Sequence, residues 1–225
     1  MKPNAVALKD PSLAVLYEIG PDFNQTMTLE EHWQRLSRQL AIDLFIQVIE
    51  RFQPETSIVN EDHICILSKQ MRIGGRPLQR LAERIIEDPQ PVGTMGIANR
   101  WLSVGRLAVR KVTKSAELVH LLRQALMKSR EEQRPLETGW SQLVAGIQAA
   151  RTWGFQRVFI LVDGVDNWQR ETDEMFHLIE PLLKETFVLQ EQLVYCKFFL
   201  PSVLQPLLQL SGSKIIVHLI AMLTS

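Results

Sequence analysis

The run Gly154–Asp166, reading GFQRVFILVDGVD, constrains the fold more than any other stretch of this chain. Val158 to Val162 is continuously apolar and leads straight into Asp163 and Gly164. A run this short, bounded by a helical pattern before it and a glycine turn after it, predicts a strand buried on both faces. Strands of that kind belong to parallel sheets flanked by helices, and the short helix-to-strand loop at Gly154 suits a parallel βα unit. Asp163 then falls at the carboxyl end of its strand, where open α/β sheets place their ligands. An Asp-Gly pair is also an ordinary strand-to-turn exit, because both residues suit turns.

The 225 residues suit one domain, and Lys and Arg balance Asp and Glu at 25 each. That balance removes any global electrostatic argument for nucleic acid or a membrane surface. Cys65 and Cys196 lie in apolar runs without metal-ligand spacing and read as reduced thiols of a cytoplasmic protein. The uncharged stretch 198–213 holds Pro201 and Pro206 and makes a poor membrane span.

Ser12 to Ile19, closed by Gly20-Pro21, predicts a short strand. Thr28 with Glu31 forms a capping box ahead of Trp33, Leu36, Leu40, Leu44 and Val48, one face of a long helix that ends before Pro54. Residues 53–135 read as a mostly helical insertion between strands. In it, Asp62–Ser68 is an apolar run of undecided type, Gly74-Gly75 and Gly93–Gly96 read as turns, and Pro77–Glu87 reads as a helix. Between Lys69 and Lys114 ten basic residues face three acids, with Arg76, Arg80 and Arg84 on one helical face. That stripe is either a phosphate-contacting surface or a solvated face, and it is all that speaks for nucleic acid. Ser115 caps a further helix that ends in the charged, solvated run 128–134. Another helix runs from Trp140 towards Gly154, and Thr172 caps a helix interrupted by Pro181. Gln192–Leu200 predicts the next buried strand, and Lys214–Ile220 is a β-branched run.

Four apolar residues followed by an acid form a Walker B pattern, and with Asp166 the sequence takes the form hhhhDGhD. In that form it resembles the STAND group of AAA+-type P-loop NTPases. The resemblance spans roughly Pro11 to Pro206, and only the Walker B portion is specific. It implies an α/β fold, a three-layer parallel sheet flanked by helices, in which the strands here match the second, third and fourth of the family. It further implies ATP and Mg²⁺ as cofactors, Asp163 as the metal acid, Asp166 as the residue polarising the attacking water, and Ser202 as the polar group at the tip of the sensor strand. The family also requires G-x-x-x-x-G-K-[ST], whose backbone N–H groups and lysine cradle the phosphates. No two glycines here are spaced for it, and none for G-x-G-x-x-G. The core is therefore expected to lack its first strand, its Walker A loop and its lid, and not to hydrolyse ATP alone, since positioning and electrostatics supply most of that catalysis.

Three further readings stand beside a truncated, degenerate NTPase domain. The first is a non-catalytic α/β module that docks to a partner protein or an intact ATPase subunit. The second is a metal enzyme using Asp163 and Asp166, although His32, His63, His120, His177 and His218 are scattered and match no catalytic motif. The third is nucleic-acid binding through the basic stripe.

Overall fold

The computed structural model describes residues 12–52, 60–87, 93–98, 109–132, 137–167 and 170–210. Three strands, β1 (Ser12–Glu18), β4 (Arg157–Asp163) and β5 (Val194–Phe198), form a parallel sheet in the order β1-β4-β5. The Gly154–Asp166 run thus supplies the middle strand. A separate antiparallel pair joins β2 (Gly93–Ala98) to β3 (Val109–Lys114). The turn expected at Gly93–Gly96 is therefore a strand, because the ladder to β3 outweighs the local turn preference of glycine.

Helix α1 (Leu29–Arg51) starts at the expected capping box, in which Thr28 and Glu31 satisfy each other's backbone donors. The insertion carries α2 (Glu61–Gly74), α3 (Arg76–Glu87) and α4 (Ala116–Glu131). Asn60 and Ser115 cap α2 and α4, and Gly75 closes α2 at φ 68°. The run expected to be a solvated end is instead tied down. Lys128 pairs with Glu61 at 2.6 Å, Arg130 with Glu83, and Arg72 with Glu132, so α4 is tied to α2 and α3. Arg76, Arg80 and Arg84 lie exposed along α3.

Helix α5 (Gly139–Thr152) packs along α1 at close range. A Cβ on Gly146 would stand 2.7 Å from Leu40 Cδ2, and one on Gly139 would stand 2.6 Å from the Gln34 backbone nitrogen. Helix α6 (Thr172–Lys184) contains Pro181 and begins at Glu171, which caps it in place of Thr172. It is followed by α7 (Thr186–Glu191), a 3₁₀ turn (Ser202–Leu204) and α8 (Gln205–Leu210).

Because β1, β4 and β5 advance in one direction and parallel crossovers are right-handed, all their helices must fall on one face. Burial agrees with this. Leu13, Val15, Tyr17, Val158, Ile160, Val162, Val194 and Phe198 are buried on the helical side. On the other side Leu16, Phe159, Leu161 and Tyr195 are half-buried, and Ala14 and Lys197 are exposed. Two layers are therefore described, one of sheet and one of helices. The α/β class holds, and the third layer of the expectation is not formed among the described residues. The Lys214–Ile220 run lies outside them.

Candidate functional site

Asp163 ends the middle strand, directly opposite Glu18 at the end of β1 in the parallel register. Both side chains are exposed. One Asp163 carboxylate oxygen (Oδ1) accepts the Gly164 N–H at 2.8 Å, an arrangement that folds the chain back at once. Gly164 makes this possible with φ 80°, a conformation that side-chain-bearing residues rarely adopt. A Cβ there would meet Asn167 Nδ2 at 2.9 Å and the Ile19 carbonyl at 3.2 Å. Val165 is buried beneath the turn, and Asp166 projects outward. The two acids of the DGVD motif therefore sit at the rim of the sheet with a third, Glu18.

Arg170 holds this rim together. Nη1 donates to the Val165 and Asn167 carbonyls at 3.3 and 3.1 Å, and Nη2 to those of Gly20 and Phe23 at 2.5 and 3.3 Å. One guanidinium thus joins the loop after β4 to the loop after β1, with partial burial lowering its pKa. An open cavity of about 280 Å³ lies beside it, lined by Pro21, Phe23, Asn24, Gln25, Glu174 and Leu178 as well as Arg170. None of Asp163, Asp166 and Ser202 lines it.

Beneath these loops His32 is fully buried. Its Nε2 lies 2.9 Å from the Leu178 carbonyl, which can only accept, so Nε2 carries the proton. The bare Nδ1 accepts the Tyr17 hydroxyl at 2.9 Å. Burial pushes the imidazole down to about 4, leaving it neutral, and burial also raises the Tyr17 hydroxyl well above its ordinary value. His32 therefore joins β1, α1 and α6 and has no free ring nitrogen for chemistry.

Ser202 lies exposed in the 3₁₀ turn after β5, separated from that strand by Pro201. The structure brings Asp163 and Glu18 together, places Asp166 in the adjoining turn, and leaves Ser202 on the loop of the next strand. Among the described residues no three His, Cys, Asp or Glu side chains are grouped to hold a metal ion. Mg²⁺ needs fewer protein ligands when phosphate oxygens complete its shell, so Asp163 fits as a single metal acid. The ATP phosphates have no glycine-rich cradle to receive them. Glu18 and Arg170 were not singled out from the sequence. Glu18 was legible, since β1 also ends an apolar run with an acid, whereas Arg170 depends on two loops 150 residues apart.

No protein-family model, curated protein or solved structure matches this chain. Among the described residues no helix is long and apolar enough to cross a membrane.

Proposed function

We propose that this chain is a degenerate nucleotide-domain core of the STAND/AAA+ type, retaining the Mg²⁺-side acid and lacking the phosphate cradle. One observation carries the reading. The hhhhD acid stands exposed at the carboxyl end of the middle strand of a parallel sheet whose order, β1-β4-β5, is what the second, third and fourth family strands would give. In this reading Asp163 would hold Mg²⁺ and Asp166 would orient water. Ser202 is too loosely placed to be assigned more than proximity to the phosphates. Without backbone donors and a lysine, affinity for Mg²⁺-ATP is weak and hydrolysis by the isolated chain is absent. Titration with Mg²⁺ and a fluorescent ATP analogue tests this, with Asp163→Ala as the control. Weak, Mg²⁺-dependent binding abolished in the control supports it. Binding that is insensitive to Mg²⁺ and to Asp163 refutes it.

A second reading, a non-catalytic interaction module, is favoured by the uncovered sheet face, since all-parallel sheets normally have both faces covered. It calls for no nucleotide, and a folded protein with no ATP or Mg²⁺ response would move the conclusion to it.

A further inference from the structure

The middle strand of the sheet is paired on both sides, but β5 is not. Two backbone bonds fix which way β5 faces: the Val158 N–H donates to the Leu193 carbonyl at 3.3 Å, and the Phe199 N–H donates to the Val162 carbonyl at 2.9 Å. In a parallel strand alternate residues turn their backbone groups the same way. Leu193, Tyr195, Lys197 and Phe199 therefore face β4, and the N–H and C=O groups of Val194, Cys196 and Phe198 face the outer edge. Among the described residues nothing pairs with that edge. It is not an edge built for water. Val194 and Phe198 are buried, and burial pushes the Cys196 thiol up to about 12. Proline, a bulge and an outward charge, the usual edge protections, are all missing from VYCKF.

We propose that Lys214–Ile220 of this same chain pairs in parallel with the outer edge of β5 as a fourth strand. The direction follows from handedness. The 3₁₀ turn after β5 contacts α6, and Leu204 and Leu208 join the core, so the chain leaving β5 runs over the helical face. A right-handed crossover on that face takes the next parallel strand past β5, in the direction the sheet already advances. Residues 199–213 supply the connection, which exceeds the roughly a dozen residues that a parallel crossover needs. The segment itself, KIIVHLI, is β-branched and carries apolar side chains at both parities, as a strand with sheet neighbours does. The inference does not depend on nucleotide binding. It makes the β5 edge a self-completed surface, unavailable to a strand from another protein.

Residue-resolved amide exchange on the full chain tests it, because β5 carries its own control. The Tyr195 and Lys197 amides bond β4 in any case, whereas those of Val194, Cys196 and Phe198 are protected only if the edge is covered. The expected result is protection of Cys196 and Phe198 comparable to that of Tyr195 and Lys197, independent of protein concentration. In Val217→Pro, Cys196 and Phe198 should lose at least tenfold of their protection while Tyr195 and Lys197 keep theirs. Fast exchange of the outward amides in the unaltered chain overturns the proposal without any variant. So does protection that vanishes on dilution, which would assign the edge to a second copy, or protection that survives Val217→Pro. Should that variant unfold, cross-strand nuclear Overhauser contacts between 194–198 and 214–220 in the unaltered chain decide instead, their absence overturning the assignment.

Discussion

Acidification should destabilise this protein through one residue, His32. Its folded pKa is depressed from 6.5 to about 4, because burial disfavours the imidazolium. The unfolded chain therefore binds a proton at higher pH than the folded one does. Stability from this group is complete above about pH 6.5 and is lost as pH falls towards 4. Applying linkage to those two values, the loss is about 2 kcal/mol at pH 5 and about 3 kcal/mol at pH 4. Against a typical total of about 5–15 kcal/mol that is a large share. The geometry explains why the group does not relax. A second ring proton would point at the Tyr17 hydroxyl, which would have to turn its own hydrogen away into apolar surroundings with Phe23 packed edge-on at 5.7 Å.

Urea unfolding of the wild type and of His32→Gln, repeated from pH 7.5 to 4, isolates the effect. Other carboxylates titrate alike in both proteins, so the difference between the curves is the histidine. With m near 2–3 kcal/mol/M, the wild-type midpoint should fall about 1 M further than that of the variant. Parallel pH curves would refute the reasoning, as would an NMR titration of the His32 ring with a midpoint near 6.5 in the folded protein.

Gly164→Ala places a side chain at φ 80° and within 3.2 Å of the Ile19 carbonyl, and should cost about 1–2 kcal/mol. Thermal melting reads that as a fall of roughly 2–4 °C per kcal/mol, and an unchanged midpoint would contradict the turn described. Arg170→Met leaves four loop carbonyls without their shared donor. About 1.5 kcal/mol is the expected loss, with faster amide exchange at 164–167 and little change in α4. Gln70→Met goes the other way. Gln70 Oε1 is buried without a hydrogen-bond partner, so the swap should raise stability by about 1 kcal/mol in urea unfolding, and a loss would mean that the oxygen is satisfied in solution.

What could be read from the sequence was whatever is encoded within one turn or one strand. Thr28 with Glu31, Ser115, and Gly154 at φ 90° mark helix ends by chemistry that acts over three or four residues. The apolar run of β4 announced itself for the same reason. Gly93–Gly96 was misread because its partner, Val109–Lys114, is more than a dozen residues away and local preference points to a turn. Helix α7 is only six residues long, too short to display a period, and its Phe187 and Val188 are exposed, so no buried stripe marks it. At the site, Asp163 and Asp166 could be found by motif. The opposition of Glu18 to Asp163 required the β1–β4 register, which no local pattern contains.

The two unsatisfied parts of the sheet, its face and its edge, pose different physical problems. On the uncovered face Phe159 stacks with Tyr195 at 5.5 Å, and the Lys197 ammonium lies 5.4 Å from the Phe159 ring. Those side chains shield one another and keep a charge in water, so the face tolerates solvent at modest cost. The β5 edge has no such arrangement, because its outward groups are backbone donors and acceptors flanked by buried Val194 and Phe198. A backbone group held beside apolar side chains is poorly served by water and well served by another strand. The edge is therefore the part of this sheet that demands a partner. The rim carrying Glu18, Asp163 and Asp166 faces solvent whether or not that partner arrives, and any metal chemistry there can be tested separately from completion of the sheet.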